Sequence, residues 1–216
     1  MKTLLDLVRE DRKIYKGISK TGHQQFDEDG ALFIPKIINT DSMQRTPDYE
    51  GKLVTYIDNI PRLSNQVQVK DAGETYNHPS MSGVFRKVKL RIQKAIGKKL
   101  YPTYYFDRIY YAGTELPVHA DRAACEISIS IHIGNTVEKP WPFFIETPDE
   151  RILSFNFEPG DAVIYKGLEL PHWREKLNCE DHQYYHQAFM HYVLQDGYFS
   201  EHAYDSFELN KLRNAH

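Results

Sequence analysis

The sequence predicts an α+β chain in which helices come first and an all-β core of sandwich or barrel type occupies roughly residues 102 to 194. Three observations carry this. Val84, Val88, Leu90, Ile92 and Ile96 recur at roughly helical spacing and Gly97 follows as a stop, so residues 82 to 97 read as a helix. Beyond Pro102 the period falls to two: Ile127, Ile129, Ile131 and Ile133 alternate with Ser128, Ser130 and His132, which a strand puts on opposite faces. Short β-rich runs then follow one another across turn signals such as Pro159-Gly160-Asp161.

Taken in order, residues 1 to 12 suit a short helix with Leu4, Leu5, Leu7 and Val8 as its apolar part. Ala31-Leu32-Phe33-Ile34, between Asp29-Gly30 and Pro35, reads as a short strand. Residues 38 to 80 are rich in Asn, Asp, Ser, Pro and Gly and read as long loops with one strand at Leu53 to Ile57. Loops of that length are often functional, and here they suit a substrate lid. Tyr104 to Tyr111, Glu126 to Ile133, Phe143 to Glu146, Ile152 to Phe157, Ala162 to Tyr165 and Tyr185 to Leu194 supply the core strands. The piece from Gln195 to His216 carries Tyr198, Phe199, Tyr204 and Phe207, which favour docking onto the core.

Composition narrows the class. At 216 residues, 41% apolar and 26% charged, the chain suits one ordinary globular domain with a real core. Fifteen Tyr beside 11 Phe lean towards strands and pocket walls. A net charge of −3 gives no electrostatic case for nucleic acid. Cys125 and Cys179 are too few for a disulfide framework or a Cys-rich zinc motif. The opening MKTLLDLVREDRK is too short in apolar residues and too acidic for a signal peptide, and no run approaches a membrane span. A cytoplasmic protein without a membrane partner is the expectation.

The chemistry centres on two segments. In Leu116-Pro117-Val118-His119-Ala120-Asp121, His119 and Asp121 are two apart, so an extended chain would let both converge on one ion. Such a pair by itself is commonly a surface feature. The second segment runs from Pro159-Gly160-Asp161 through an apolar strand to Leu170-Pro171-His172-Trp173-Arg174. A lone His is usually a satisfied core or surface residue; the order of the three ligand types along the core raises the signal. Two imidazoles and one carboxylate form the facial set that suits non-haem iron(II) and leaves positions open for further ligands.

On these residues, together with Tyr110-Tyr111-Ala112-Gly113 and the Gly160-Asp161 turn, the stretch from about Tyr101 to Leu194 resembles the iron(II)- and 2-oxoglutarate-dependent oxygenases, most of all the prolyl-hydroxylase-like branch. The resemblance implies a double-stranded β-helix core (jelly-roll, cupin-like) with N-terminal helices packed on it. It implies one domain over 1–216: a lead-in to 101, the core from 102 to 194, and an extension from 195 to 216. His119, Asp121 and His172 would be both the metal ligands and the catalytic centre. Iron(II) and 2-oxoglutarate would be needed, with ascorbate as an accessory. O2 would be consumed and an unactivated C–H bond of a protein, a peptide (prolyl) or a small molecule hydroxylated, releasing succinate and CO2.

Tyr110 stands where the family often has a tyrosine facing the co-substrate. The family also carries Arg or Lys about ten residues after the last His, and between Glu180 and Leu194 this chain has neither. A charged fork is the natural partner of a carboxylate, so Arg174, Lys176 and His186 are the substitutes the sequence offers. The alternatives are a cupin-like metal enzyme that does not use 2-oxoglutarate, and a non-catalytic jelly-roll binding module.

Overall fold

A computed structural model describes residues 22–41, 54–57, 60–63, 69, 72–77 and 81–205. The helix expected over 1 to 12, Phe207, and most of the proposed lid lie outside these residues.

Helix α1 (Gly22–Asp29) leads into β1 (Ala31–Ile34). Strands β2 (Val54–Ile57), β3 (Ile60–Leu63) and β4 (Gly73–Tyr76) precede helix α2 (Ser82–Ile96). The core strands are β5 (Leu100–Tyr111), β6 (Leu116–His119), β7 (Ile127–Asn135), β8 (Phe143–Glu146), β9 (Ile152–Phe155), β10 (Ala162–Tyr165), β11 (His172–Arg174) and β12 (Tyr184–Leu194). They form two sheets. The larger runs β1-β10-β7-β12-β5-β4-β2-β3 and the smaller β6-β11-β8-β9. Core strands that follow one another are mostly dealt to different sheets or non-adjacent places, so the chain winds between the layers as a double-stranded β-helix.

Helix α2 covers the outside of the larger sheet. Phe85, Val88, Ile92 and Ile96 pack with Ile127, Ile129, Ile131 and Ile133 in one buried cluster. Gly97 ends the helix in a left-handed conformation (φ 68°), its N–H returning to the Gln93 carbonyl. The other face of β7 is equally buried: Ser128, Ser130 and His132 are fully enclosed between the sheets. The alternation therefore separates an apolar outer layer from a polar interior, and neither side meets solvent.

Three expectations need correction. The loop region of 38 to 80 holds two more strands, β3 and β4, besides the expected one. Both are four residues long, and β4 extends the larger sheet by pairing with β5, Glu74 opposite Arg108. Pro61 is tolerated because β3 is the sheet's last strand. β5 begins at Leu100, ahead of Pro102, because a register shift opposite Met190/Tyr192 accommodates the extra residue. The C-terminal piece does dock, through a 3-10 segment (Ser200–Asp205) that packs on β5 with the Tyr204 ring against Tyr101, but Tyr198 takes no part and is 88% exposed. No described helix is long and apolar enough to cross a membrane.

The Pro159-Gly160-Asp161 turn pins the end of β1 to the core. Asp161 accepts hydrogen bonds from the Glu158 and Lys36 N–H groups, and Gly160 bonds the His132 and Ile37 backbones. Gly160 has φ 90°, and a Cβ there would lie 2.5 Å from the Ile38 carbonyl oxygen. Gly160→Ala should therefore lose roughly 2 kcal/mol or more of stability, measured as a lower denaturant midpoint. An unchanged midpoint would show that the turn can relax.

Candidate metal centre

Three short pieces of chain build the centre. β6 ends at His119, β11 begins at His172, and the register pairs these residues directly. Their ring centroids lie 4.2 Å apart. Asp121 lies two residues beyond β6, so it does not share a strand with His119; its backbone N–H donates instead to the Gly167 carbonyl at 2.8 Å. That bond to the loop after β10 turns the carboxylate back towards the histidines.

One local device orients both rings. His119 Nδ1 lies 2.7 Å from the Pro117 carbonyl oxygen, and His172 Nδ1 lies 2.8 Å from that of Leu170. A carbonyl only accepts, so each Nδ1 carries the proton and each Nε2 presents a lone pair. Both Nε2 atoms are 3.6 Å from Asp121 Oδ1. The three donor atoms lie within 4.8 Å of one another. Two oriented imidazoles and a carboxylate fit a divalent first-row ion, and carbonyls on the far ring nitrogens are its usual support.

The other carboxylate oxygen is held from behind. Ser128 Oγ lies 2.9 Å from Asp121 Oδ2, 2.9 Å from His191 Nδ1 and 3.2 Å from the Cys125 carbonyl. A hydroxyl has one proton to give, and the charged acceptor takes it. His191 Nδ1–H then donates to Ser128, leaving His191 Nε2 buried without a hydrogen-bond partner among the described residues. Burial pushes the His191 imidazole down to about 4 against the pull of Asp121. Burial works to raise the Asp121 pKa, but the two imidazoles of His119 and His172 beside it outweigh that and hold the carboxyl well below the usual range. Gly167 makes the close approach possible: a Cβ there would overlap Asp121 Oδ2 and sit 2.6 Å from the Cys125 carbonyl.

The centre opens into a cavity of some 450 Å³, mouth included. Leu116, Phe106, Phe189 and Tyr165 form its apolar wall, Tyr76 and Tyr104 flank them, and Arg108 and His191 add polar groups. Tyr76, Tyr104 and Phe106 stack almost parallel, with Tyr76 5.2 Å from each of the others. Arg122 lies over Tyr104 and pairs with Asp205 at 3.2 Å. Glu126 accepts the Leu194 N–H at 2.7 Å, and buried Cys125 lies 3.1 Å from the Tyr104 hydroxyl.

Of the residues the sequence singled out for the co-substrate, none lines this cavity. Tyr110 is fully buried beside it; its hydroxyl accepts from Arg108 Nη1 at 3.2 Å and its ring meets Trp141 edge-on. Arg174 is enclosed by Trp141, Phe143, Phe157 and Tyr185 and donates to the Trp141 carbonyl. Lys176 is exposed and passes over Gly113. His186 is paired with Asp107 at 2.8 Å.

Sequence reasoning passed over Arg108, Ser128 and His191. The signal for Arg108 was its phase: Tyr104, Phe106, Arg108 and Tyr110 share one face of β5, so an inward strand of aromatics carries one cation.

Gly167→Ala should displace Asp121 and abolish iron(II) or cobalt(II) binding while circular dichroism stays folded. Tight metal binding by that variant would show that Asp121 is not a ligand. A second outcome concerns acid. His132, stacked on Tyr185, is pushed down to about 3, by burial first and by Arg174 second. The folded state thus keeps His132 and His191 neutral where the unfolded chain is protonated. Stability is complete above about pH 6.5 and falls as pH drops towards 4, by about 1.4 kcal/mol per pH unit for each group. The Asp121 carboxyl is shifted in the same direction, and its contribution is lost only as pH falls below about 3.9. Denaturant midpoints of the metal-free protein between pH 7 and 4 should show uptake approaching two protons on unfolding; a flat profile would contradict the neutral, buried assignment.

No family model matches the sequence, and no curated protein matches it. Solved structures do match the fold. A 2OG-Fe(II) oxygenase-family oxidoreductase from Burkholderia pseudomallei has TM-score 0.55 at 12% identity over 80% of this chain and 88% of its own. A Pseudomonas putida prolyl-4-hydroxylase has TM-score 0.56 at 11% identity over 78% and 95%. HygX of Streptomyces hygroscopicus, solved with nickel and 2-oxoglutarate bound, has TM-score 0.55 at 11% identity over 82% and 87%. With the cluster of His119, Asp121 and His172 at one end of its barrel, the chain has the double-stranded β-helix fold of the 2-oxoglutarate- and iron(II)-dependent oxygenases.

Proposed function

We propose that this protein is an iron(II)- and 2-oxoglutarate-dependent oxygenase that hydroxylates an unactivated C–H bond, with a prolyl side chain of a protein or peptide as the favoured substrate. One observation carries the reading: two histidines, each turned by a backbone carbonyl so that Nε2 faces Asp121 Oδ1, converge at a cavity inside the β-helix. Iron(II) held there by His119, Asp121 and His172 would, with 2-oxoglutarate and O2, supply the oxidising power, with succinate and CO2 as by-products.

The protein's own residues bind, orient and exclude. His119 and His172 supply neutral donors, and Asp121 supplies one negative charge. A divalent ion on this set keeps net positive charge, which favours an anionic chelating co-substrate. Ser128 and His191 fix the Asp121 rotamer through a chain of two hydrogen bonds. Leu116, Phe106, Phe189 and Tyr165 keep water from the inner cavity. The stacked Tyr76 and Tyr104 give the wall a flat aromatic surface, a suitable platform for a pyrrolidine ring. The fold shared with a prolyl-4-hydroxylase supports the same substrate class.

Adding iron(II) and 2-oxoglutarate without oxygen should produce a weak visible charge-transfer band in the wild type and none in His172→Ala. Iron binding that depends on His172, but with no band, would exclude 2-oxoglutarate and favour a cupin-like metal enzyme. No iron binding at all would leave a binding module. With oxygen and a proline-containing peptide, succinate release and the gain of one oxygen atom by the peptide test the substrate class.

A further inference from the structure

We propose that Arg108 of β5 is the co-substrate anchor that the last core strand lacks, its guanidinium taking the far carboxylate of the 2-oxo acid held at His119, Asp121 and His172. The inference deepens the proposed function and rests on it.

β12 offers no Arg or Lys, and the residue it presents opposite Arg108 is Gln187. Residues directly paired across antiparallel strands point to the same face, so Arg108 and Gln187 both look into the barrel. Gln187 is neutral and its amide donates to Ser130 Oγ at 2.7 Å. The cation has therefore moved one strand sideways at the same level of the barrel. Arg108 lines the same cavity as both histidines and Asp121, which Arg174, Lys176 and His186 do not. Leu116, at the start of β6, lines the same cavity.

The surroundings hold the guanidinium still. Glu74, directly opposite on β4, accepts from Arg108 Nε, and Tyr110 accepts from Nη1. Phe106 and Phe189 lie 5.2 and 5.7 Å from Cζ, so the cation sits in an aromatic collar of low polarity. A carboxylate entering such a site would meet a planar donor that shares its Nε edge with Glu74 and is shielded from water. Tyr110, having accepted from Arg108, still has its own hydroxyl proton to give. A buried ion pair is weak grounds for stability by itself; the placement of this pair in a cavity wall beside three metal-type ligands is explained by a ligand that needs it.

The test uses two 2-oxo acids that differ only at the far end: 2-oxoglutarate, and 2-oxopentanoate, in which a methyl replaces the carboxylate. Their affinities for the iron(II)-loaded, oxygen-free protein are read from the visible charge-transfer band, so no turnover is needed. The wild type should prefer 2-oxoglutarate by roughly 10- to 100-fold, the range for a charge-assisted contact. Arg108→Gln should erase the preference by weakening 2-oxoglutarate alone, and Arg174→Gln should keep it. A preference retained in Arg108→Gln, or lost only in Arg174→Gln, overturns the assignment. If Arg108→Gln binds neither acid, Arg108→Lys decides: a preference cut severalfold supports the anchor, and an undiminished one overturns it. A wild type that binds 2-oxopentanoate as well as 2-oxoglutarate also overturns it, with the function intact. A wild type that gives no band with either acid brings down the function itself.

Discussion

Two backbone carbonyls govern the centre. Those of Pro117 and Leu170 each accept a hydrogen bond from the Nδ1–H of the histidine two residues later. An imidazole free to rotate or change tautomer would be a poorer ligand, because only a deprotonated nitrogen facing the ion can bind. Here the ring orientation is set by chain path, and the chain path is set by pairing β6 with β11 so that His119 stands opposite His172. Asp121 needs no strand of its own, since the Gly167 carbonyl holds its N–H and Ser128 holds its outer oxygen. The winding of strands between two sheets thus has a chemical consequence: it brings residue 119 to residue 172 across more than fifty positions of sequence.

The same winding creates a polar interior, which demands compensation. Ser128, Ser130, His132, Gln187 and His191 are all buried, and buried polar groups cost free energy unless they are bonded. Most of them answer one another: Gln187 bonds Ser130, His191 bonds Ser128, and His132 meets Asn135 at 2.8 Å. The two arginines are handled differently. Arg108 has a carboxylate partner and borders the cavity, whereas Arg174 is surrounded by four aromatic rings and a backbone carbonyl. That difference separates a cation placed to meet a ligand from one placed to join the sheets.

Much of this was legible in the sequence. The strands at Ala31–Ile34, Phe143–Glu146 and Ala162–Tyr165 and the helix at Ser82–Ile96 match the pattern because local propensity, periodicity and turn residues agree there. The three ligand-type residues stood out through their kinds and their order. What escaped was decided by pairing. β4 reads as Gly-Glu-Thr-Tyr and has no strand signal apart from its neighbour β5. The cation lining the cavity lies across the sheet on β5 rather than on β12 or beyond His172, a relation that spacing along the chain does not encode.

β7 shows how stability and chemistry are kept apart on one strand. Its four isoleucines face α2, and each, fully buried, contributes on the order of 2 kcal/mol through the hydrophobic effect. Ser128, Ser130 and His132 face inward and add little of that kind. Because the strand period is two, a residue cannot serve both layers, and a slip of one register would put every isoleucine into the barrel and every polar group under the helix. The outer layer therefore fixes the register on which the inner one depends. Ser128 reaches Asp121 because the isoleucines on either side of it are held by α2, so the helix that precedes the core acts on the centre without touching it.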